Sequence, residues 1–292
     1  MLGAPPVAVR DVRLGRQLRR VLRNTLVALG AVTALVIIAS AVFAPALAPH
    51  PPDEQNFDLI ESAPGAQALF GTDRFGRDVL SRVIWGARLS LYVGLVSVVF
   101  GITLGALWGV VTGYVGGATD TGSQRIVDCL MALPPIILAL SLMAALGQSV
   151  NNVILSLVIL LTPTAVRTVR AVALGVAATP FIEAAEAAGA SRARIVVRHL
   201  IPNCMASYIV LVTTNISYAI VVEASLSFIG AGAPPDEPSW GGMLAQGIQA
   251  LETAPWMVFF PGLAISLAVF GLNLLGDSIR DLTDPRLRGG LG

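Results

Sequence analysis

CLMALPPIILALSLMAALGQSVNNVILSLVILLTPTAV, residues 129–166, decides the class of fold. It runs for 38 residues without Asp, Glu, Lys or Arg, and about 20 apolar residues suffice to cross a hydrocarbon core. Gly147-Gln-Ser-Val-Asn-Asn152 supplies turn chemistry near its middle, so the run reads as two membrane helices joined by a short connection. Four more charge-free runs accompany it: Asn24–Pro52, Leu89–Thr119, His199–Val222 and Thr253–Gly276. Of the 292 residues 55% are hydrophobic and only 13% charged, about half the charge that coats a soluble domain. The chain is therefore an all-α membrane protein with six spans, expected at about 25–47, 89–114, 127–146, 153–172, 205–229 and 256–276.

Charge sets the orientation. Arg10, Arg13, Arg16, Arg19, Arg20 and Arg23 precede the first span, and no cleavage-site pattern follows it, so residues 1–24 read as a basic cytoplasmic segment before a retained anchor, 25–47. With that end inside, fifteen Arg fall on the cytoplasmic side, Arg167 and Arg170 among them, and four outside. The positive-inside rule then makes both termini cytoplasmic. Residues 48–88 become an extracytoplasmic segment, 89–276 a five-helix core with a cytoplasmic loop at 173–203, and 277–292 a cytoplasmic tail. The outer side carries nine acids against its four Arg. Residues 78–88 alternate with helical period and are expected to lie along the membrane surface.

Composition also excludes chemistry. All basic residues are Arg, so neither a P-loop lysine nor a Schiff-base lysine exists. His50, His199, Cys129 and Cys204 offer no pair at metal-ligand spacing, and the two Cys give no disulfide framework.

Three features stand out instead. Gly101, Gly105, Gly109 and Gly113 recur every four residues, a small-residue ridge on which another helix can pack closely. Glu223 is the one acid deep inside a span; it faces a pathway or bonds a neighbouring helix, and Asn215 is the other isolated polar residue of that span. The cytoplasmic loop reads as two short helices: Thr179 as N-cap, Pro180 at the first position, Gly189 closing in the left-handed conformation, then a second helix capped by Ser191 and stopped or kinked by Pro202. Ala184, Ala185, Ala187 and Ala188 leave the first helix nearly smooth-sided.

Glu183-Ala-Ala-Glu-Ala-Ala-Gly189, followed through His199-Leu-Ile-Pro202, is similar to the EAA loop of permease subunits in binding-protein-dependent ABC importers. Arg198-His199, with Pro202-Asn203, resembles the form found in the dipeptide, oligopeptide and nickel branch. Gly71-Thr72-Asp73-Arg-Phe-Gly76-Arg77-Asp78, Pro238-Ser-Trp-Gly241 and the tail from Asn273 to Arg286 resemble further signatures of that branch's C-type permease.

The resemblance implies a type I ABC importer permease fold in a bacterial inner membrane, importing di- or oligopeptides, with nickel or another small solute as the alternative within the branch. It further implies that the loop, through Glu183, Ala184, Ala185, Gly189, His199 and Pro202, seats on separate ATPases. ATP and Mg would then reside on two ATP-binding subunits or one fused pair, with no cofactor, metal or nucleic acid on this chain. The remaining partners would be a second permease subunit in a heterodimer and an extracytoplasmic solute-binding protein, which docks near Gly71–Asp78 and the 231–256 loop. A membrane-embedded enzyme would need convergent polar groups, which the spans lack. A secondary carrier would need coupling-ion groups at a broken helix; Pro134-Pro135 offers a break but no charge accompanies it.

Overall fold

The computed structural model describes residues 25–283, so the basic residues Arg10 to Arg23, and Arg286 with Arg288 of the tail, lie outside the described residues. What is described is helical, with no strand beyond an isolated bridge between Thr72 and Asp78. The elements are α1 (Thr25–Val42), α2 (Ala44–Leu47), α3 (Val79–Val115), α4 (Gly117–Met131), α5 (Pro135–Leu146), α6 (Val150–Ala177), α7 (Pro180–Ala187), α8 (Arg192–Ile195), α9 (Ile201–Ile229), α10 (Trp240–Gly247) and α11 (Trp256–Thr283).

Four helices are each long and apolar enough to cross a membrane: α3, α6, α9 with the α8 segment leading into it, and α11. The α4–α5 pair is apolar enough to make a fifth span only if its two halves, bent by 88°, count as one, and the apolar α1 occupies the place of the expected first span.

The third span, expected at about 127–146, is broken at the Pro134-Pro135 pair that the sequence offered as a break. Pro134 and Pro135 are adjacent, and each forbids the helical conformation to the residue before it. Pro134 accordingly sits at ψ 136°, and α5 restarts with only 12 residues, about 18 Å of rise, too short to cross alone. The second correction is at residues 78–88, which do not lie along the membrane surface. Asp78 caps α3 through the Ser81 N–H at 2.8 Å, and the helix then runs unbroken for 37 residues, about 55 Å. The third is Pro202, which does not stop its helix. Its ring crowds the Arg198 carbonyl and brings no N–H, so Val196–Leu200 widens into a π turn closed by Ile201 N–H to Val196 O, and the helix continues into α9. Arg167 and Arg170, counted from sequence as cytoplasmic, lie inside α6.

The expected connection at 147–152 folds as its residues dictate. Gly147 ends α5 at φ +83°, Ser149 caps α6, and the Asn152 carboxamide closes the carbonyls of Leu146 and Gly147.

Packing centres on α3, which lies along α6 and also meets α1 and α9. The glycine ridge makes the α3–α6 approach possible. A β-carbon at Gly105 would stand 2.5 Å from the Thr162 carbonyl and 2.6 Å from Ala165 Cβ, and one at Gly109 2.5 Å from the Val166 carbonyl. Gly101 and Gly113 face Val158 and Arg170 of the same helix at 3.1–3.2 Å. The ridge therefore packs backbone to backbone, the arrangement that stabilises helix pairs in lipid.

Candidate functional site

The loop at 173–203 stands on one apolar peg. Ile182 of α7 and Ile195 of α8 are buried with Val110 of α3, Val169 and Ala173 of α6, and Leu200. Around the peg, the Tyr114 hydroxyl at the end of α3 donates to Glu186 Oε1 at 2.7 Å, and the Phe181 ring meets the His199 ring edge-on with centroids 5.9 Å apart. His199 thus packs against the loop helix, and its carbonyl accepts from Asn203 Nδ2 at 2.7 Å. Glu183, Ala184, Ala187 and Ala188 are exposed, whereas Ala185 is half-buried.

The loop ends as its sequence directs, with one difference. Gly189 takes φ +80°, its N–H bonds Glu186 O at 2.9 Å and the Ala190 N–H bonds Ala185 O at 3.0 Å, a Schellman closure. Ser191 caps α8. Thr179 occupies the N-cap position of α7 in extended backbone, but its hydroxyl turns back to Val176 O at 2.6 Å and caps nothing.

The Gly71–Asp78 signature forms a knot. Gly71, Thr72, Asp73, Gly76, Arg77 and Asp78 are all buried, and only Arg74 and Phe75 between them are exposed. Asp73 is the centre: it accepts from the N–H groups of Phe75 and Arg77 at 2.8 and 3.0 Å and pairs with Arg77 Nε at 2.7 Å. Arg82, 1% exposed, brings a second guanidinium to 3.7 Å from Asp73 and donates to Pro52 O at 3.0 Å. Gly71 and Gly76 hold φ of +74° and +70°, and a side chain at Gly71 would run into the Trp256 indole, whose Nε1 donates to Thr72 O at 3.0 Å. Arg77 also reaches Gln246 Oε1 of α10 at 3.0 Å. The six residues read as a docking signature therefore tie residues 50–78 to α10 and α11, and the surface at this point belongs to Arg74 and Phe75. In the other outer stretch, Ser239 caps α10 and Trp240, buried, donates to Val83 O at 2.9 Å.

Inside the bundle Glu223, 1% exposed, joins α9 to α3: Ser90 donates to Oε2 at 3.0 Å and Ser227 to Oε1 at 2.8 Å. Asn215, half-buried, donates from Nδ2 to Leu211 O at 2.8 Å. On α4, Asp120 pairs with Arg170 and Asp128 with Arg167, clasping the first half of the broken span to α6.

Sequence reading missed four things: the Ile182 peg, the Tyr114–Glu186 bond, the α4–α6 clasps, and Tyr218, exposed beside Asn215 at the turn above it. The clasps left a trace, since Asp120 and Asp128 lie two turns apart on one helix. Among the described residues no group of three or more His, Cys, Asp or Glu could hold a metal ion.

Residues 101–289 match the family described as binding-protein-dependent transport system inner membrane component, and residues 13–64 match the N-terminal TM domain of oligopeptide transport permease C. A putative peptide transport system permease protein of Brucella abortus is 42% identical over 92% of this chain and 91% of its own. A dipeptide transport system permease protein of Alkalihalophilus pseudofirmus is 38% identical, covering 91% and 88%, and a glutathione transport system permease protein of Escherichia coli 39%, covering 93% and 90%. The solved structure of a methionine ABC transporter in an inward-facing conformation matches 70% of this chain and 96% of its own with a TM-score of 0.57 at 23% identity, a likeness of fold.

Proposed function

Since the chain belongs to the family of binding-protein-dependent transport system inner membrane components, and is a permease of an ABC importer of that kind, we propose that it imports di- or oligopeptides as one half of a permease heterodimer. In this reading α7 seats in a groove of a partner ATPase, which binds ATP and Mg, and both termini are cytoplasmic. A solute-binding protein delivers the peptide to the outer face.

The observation that carries the reading is the seating of α7. A helix of eight residues, below the length that holds together alone, is fixed by a buried Ile182 while Glu183 and Ala184 stay free on its outward side. A partner pushing on that side displaces Ile182 within the cluster shared by α3 and α6. Two packings of that cluster, biased by nucleotide, would then alternate access between the permease halves. The peptide assignment is supported by the relatives named for peptide, dipeptide and glutathione transport.

The test is reconstitution of the complete importer in liposomes with its own binding protein, measuring ATP-dependent uptake of labelled dialanine and of nickel ions. Dialanine uptake that stops without ATP is the expected result. Nickel uptake without dialanine uptake would move the chain to the alternative of the same branch, and failure of any ATPase to copurify would end the coupling assignment.

A further inference from the structure

Pro163 stands at the middle of α6 and Asn215 at the middle of α9, each half-way along a helix long and apolar enough to cross a membrane. The α4–α5 break comes to the same depth, because one cavity of about 240 Å3 is lined by Leu133 and Pro135 of the break, Pro163 and Thr164 of α6, and Asn215 and Tyr218 of α9. Irregular backbone and exposed polar groups do not face lipid at that depth; they are tolerated where they meet protein or line a watery space. Residues 131–135 are all exposed, as are Thr164 and Tyr218. One turn nearer the cytoplasm the Arg167–Asp128 ion pair lies with both side chains nearly half exposed, at 46% and 45%. A half-exposed ion pair on a membrane helix faces protein or a watery space rather than lipid.

The cavity has uncommitted hydrogen-bonding groups. Among the described residues Asn215 spends only its Nδ2, on Leu211 O, while Asn215 Oδ1, the Tyr218 hydroxyl and the Thr164 hydroxyl meet no partner. All three are neutral. Together they offer one pure acceptor and two hydroxyls that either donate or accept, a set that can meet an N–H and a neighbouring C=O at once without any charge of its own. A peptide main chain presents that pair at each residue whatever its side chains. The volume falls below the roughly 300–1,000 Å3 that a whole small ligand fills, so the cavity takes a portion of a passing solute.

From this juxtaposition we propose that Asn215, Tyr218 and Thr164, opposite the α4–α5 break, form a mid-span subsite that hydrogen-bonds the main chain of the peptide in transit. The proposal rests on the peptide reading above. It makes Asn215 and Tyr218 contact residues for the solute, with the Asp128–Arg167 pair at the water-filled cytoplasmic side of the subsite.

The test uses the complete importer in liposomes with saturating loaded binding protein, and as probes labelled trialanine and trialanine methylated at both peptide nitrogens. Tyr218→Phe removes one exposed, unpartnered oxygen and leaves packing in place; Asn215→Leu is the second variant. Each should lower trialanine uptake by about tenfold, the order expected for a lost hydrogen bond, and narrow the preference for trialanine over its methylated form. Binding-protein-stimulated ATP hydrolysis should persist, since neither residue touches the cytoplasmic loop. Unchanged trialanine uptake in Tyr218→Phe and Asn215→Leu would overturn the subsite while leaving peptide import standing. Absence of trialanine uptake by the unaltered importer, with nickel taken up instead, would overturn both.

Discussion

The 50–78 knot and the 173–203 loop are both segments of about thirty residues, the first leading into α3 and the second packed beside its other end, and they are held in opposite ways. The knot buries a carboxylate between two guanidiniums and saturates it with backbone N–H groups. The loop buries two isoleucines in an apolar cluster with α3 and α6, bonds the Tyr114 hydroxyl of α3 through Glu186, and holds itself together through the Phe181 and His199 rings. A buried charge cluster has one good geometry and a steep penalty for leaving it. An apolar peg slides among packings of similar energy. The knot is built to stay put and the loop to be moved.

That contrast can be broken first at Asp73. Asp73→Ala strands Arg77 and Arg82 in a buried setting, a loss of about 3–5 kcal/mol, and should give the largest drop in thermal unfolding temperature of the purified permease. A variant as stable as the parent would mean the knot is no more than decoration.

Ile182→Ala comes next, at about 2–4 kcal/mol if the whole chain felt it. Its effect should instead concentrate in the loop, with faster protease cleavage between Ala177 and Ser191 and lost stimulation of ATP hydrolysis, while cleavage in residues 50–78 stays slow. Equal loosening at both ends would erase the distinction between them.

Gly189→Val forces a β-branched residue into φ +80°, at about 1–2 kcal/mol. Nothing stands within 4 Å of a β-carbon there, so the strain is purely conformational. Uptake and ATPase stimulation should fall together with binding-protein affinity unchanged; normal values of both would sink the coupling role of the loop.

The smallest effect belongs to Tyr114→Phe, which removes one exposed hydrogen bond to Glu186 worth about 0.5–1.5 kcal/mol. Global stability should hold, and only the ratio of peptide moved to ATP hydrolysed should decline. A large shift in unfolding temperature would show the bond to be part of the core.

Why some of this was legible from sequence and some was not follows from range. The spans were legible because lipid forbids charge, and the glycine ridge because a four-residue period marks one helical stripe. The Gly189 turn was legible because left-handed backbone selects glycine. The break of the third span was legible as a possibility in Pro134-Pro135, but not its 88° angle, which depends on how α4 and α5 pack against α6. Tyr114 and Glu186 lie 72 residues apart, and no local pattern announces their bond. The burial of Gly71–Asp78 was not legible, because a segment rich in Asp and Arg shows its internal pairing only once folded; Asp73 and Arg77, four residues apart, were the one local hint.

α3 carries more than its packing. The same unbroken helix holds the Asp78 cap and Arg82 in the knot, the Val83 carbonyl that receives Trp240, Ser90 against Glu223, the glycines against α6, and Tyr114 beside the loop. Cooperative units in proteins are contiguous structures whose contacts rise and fall together. With α3 common to every layer, local opening inside the membrane cannot stay local. Amide exchange along α3 should therefore report a single protection plateau from its outer to its inner end, with α7 alone escaping below it.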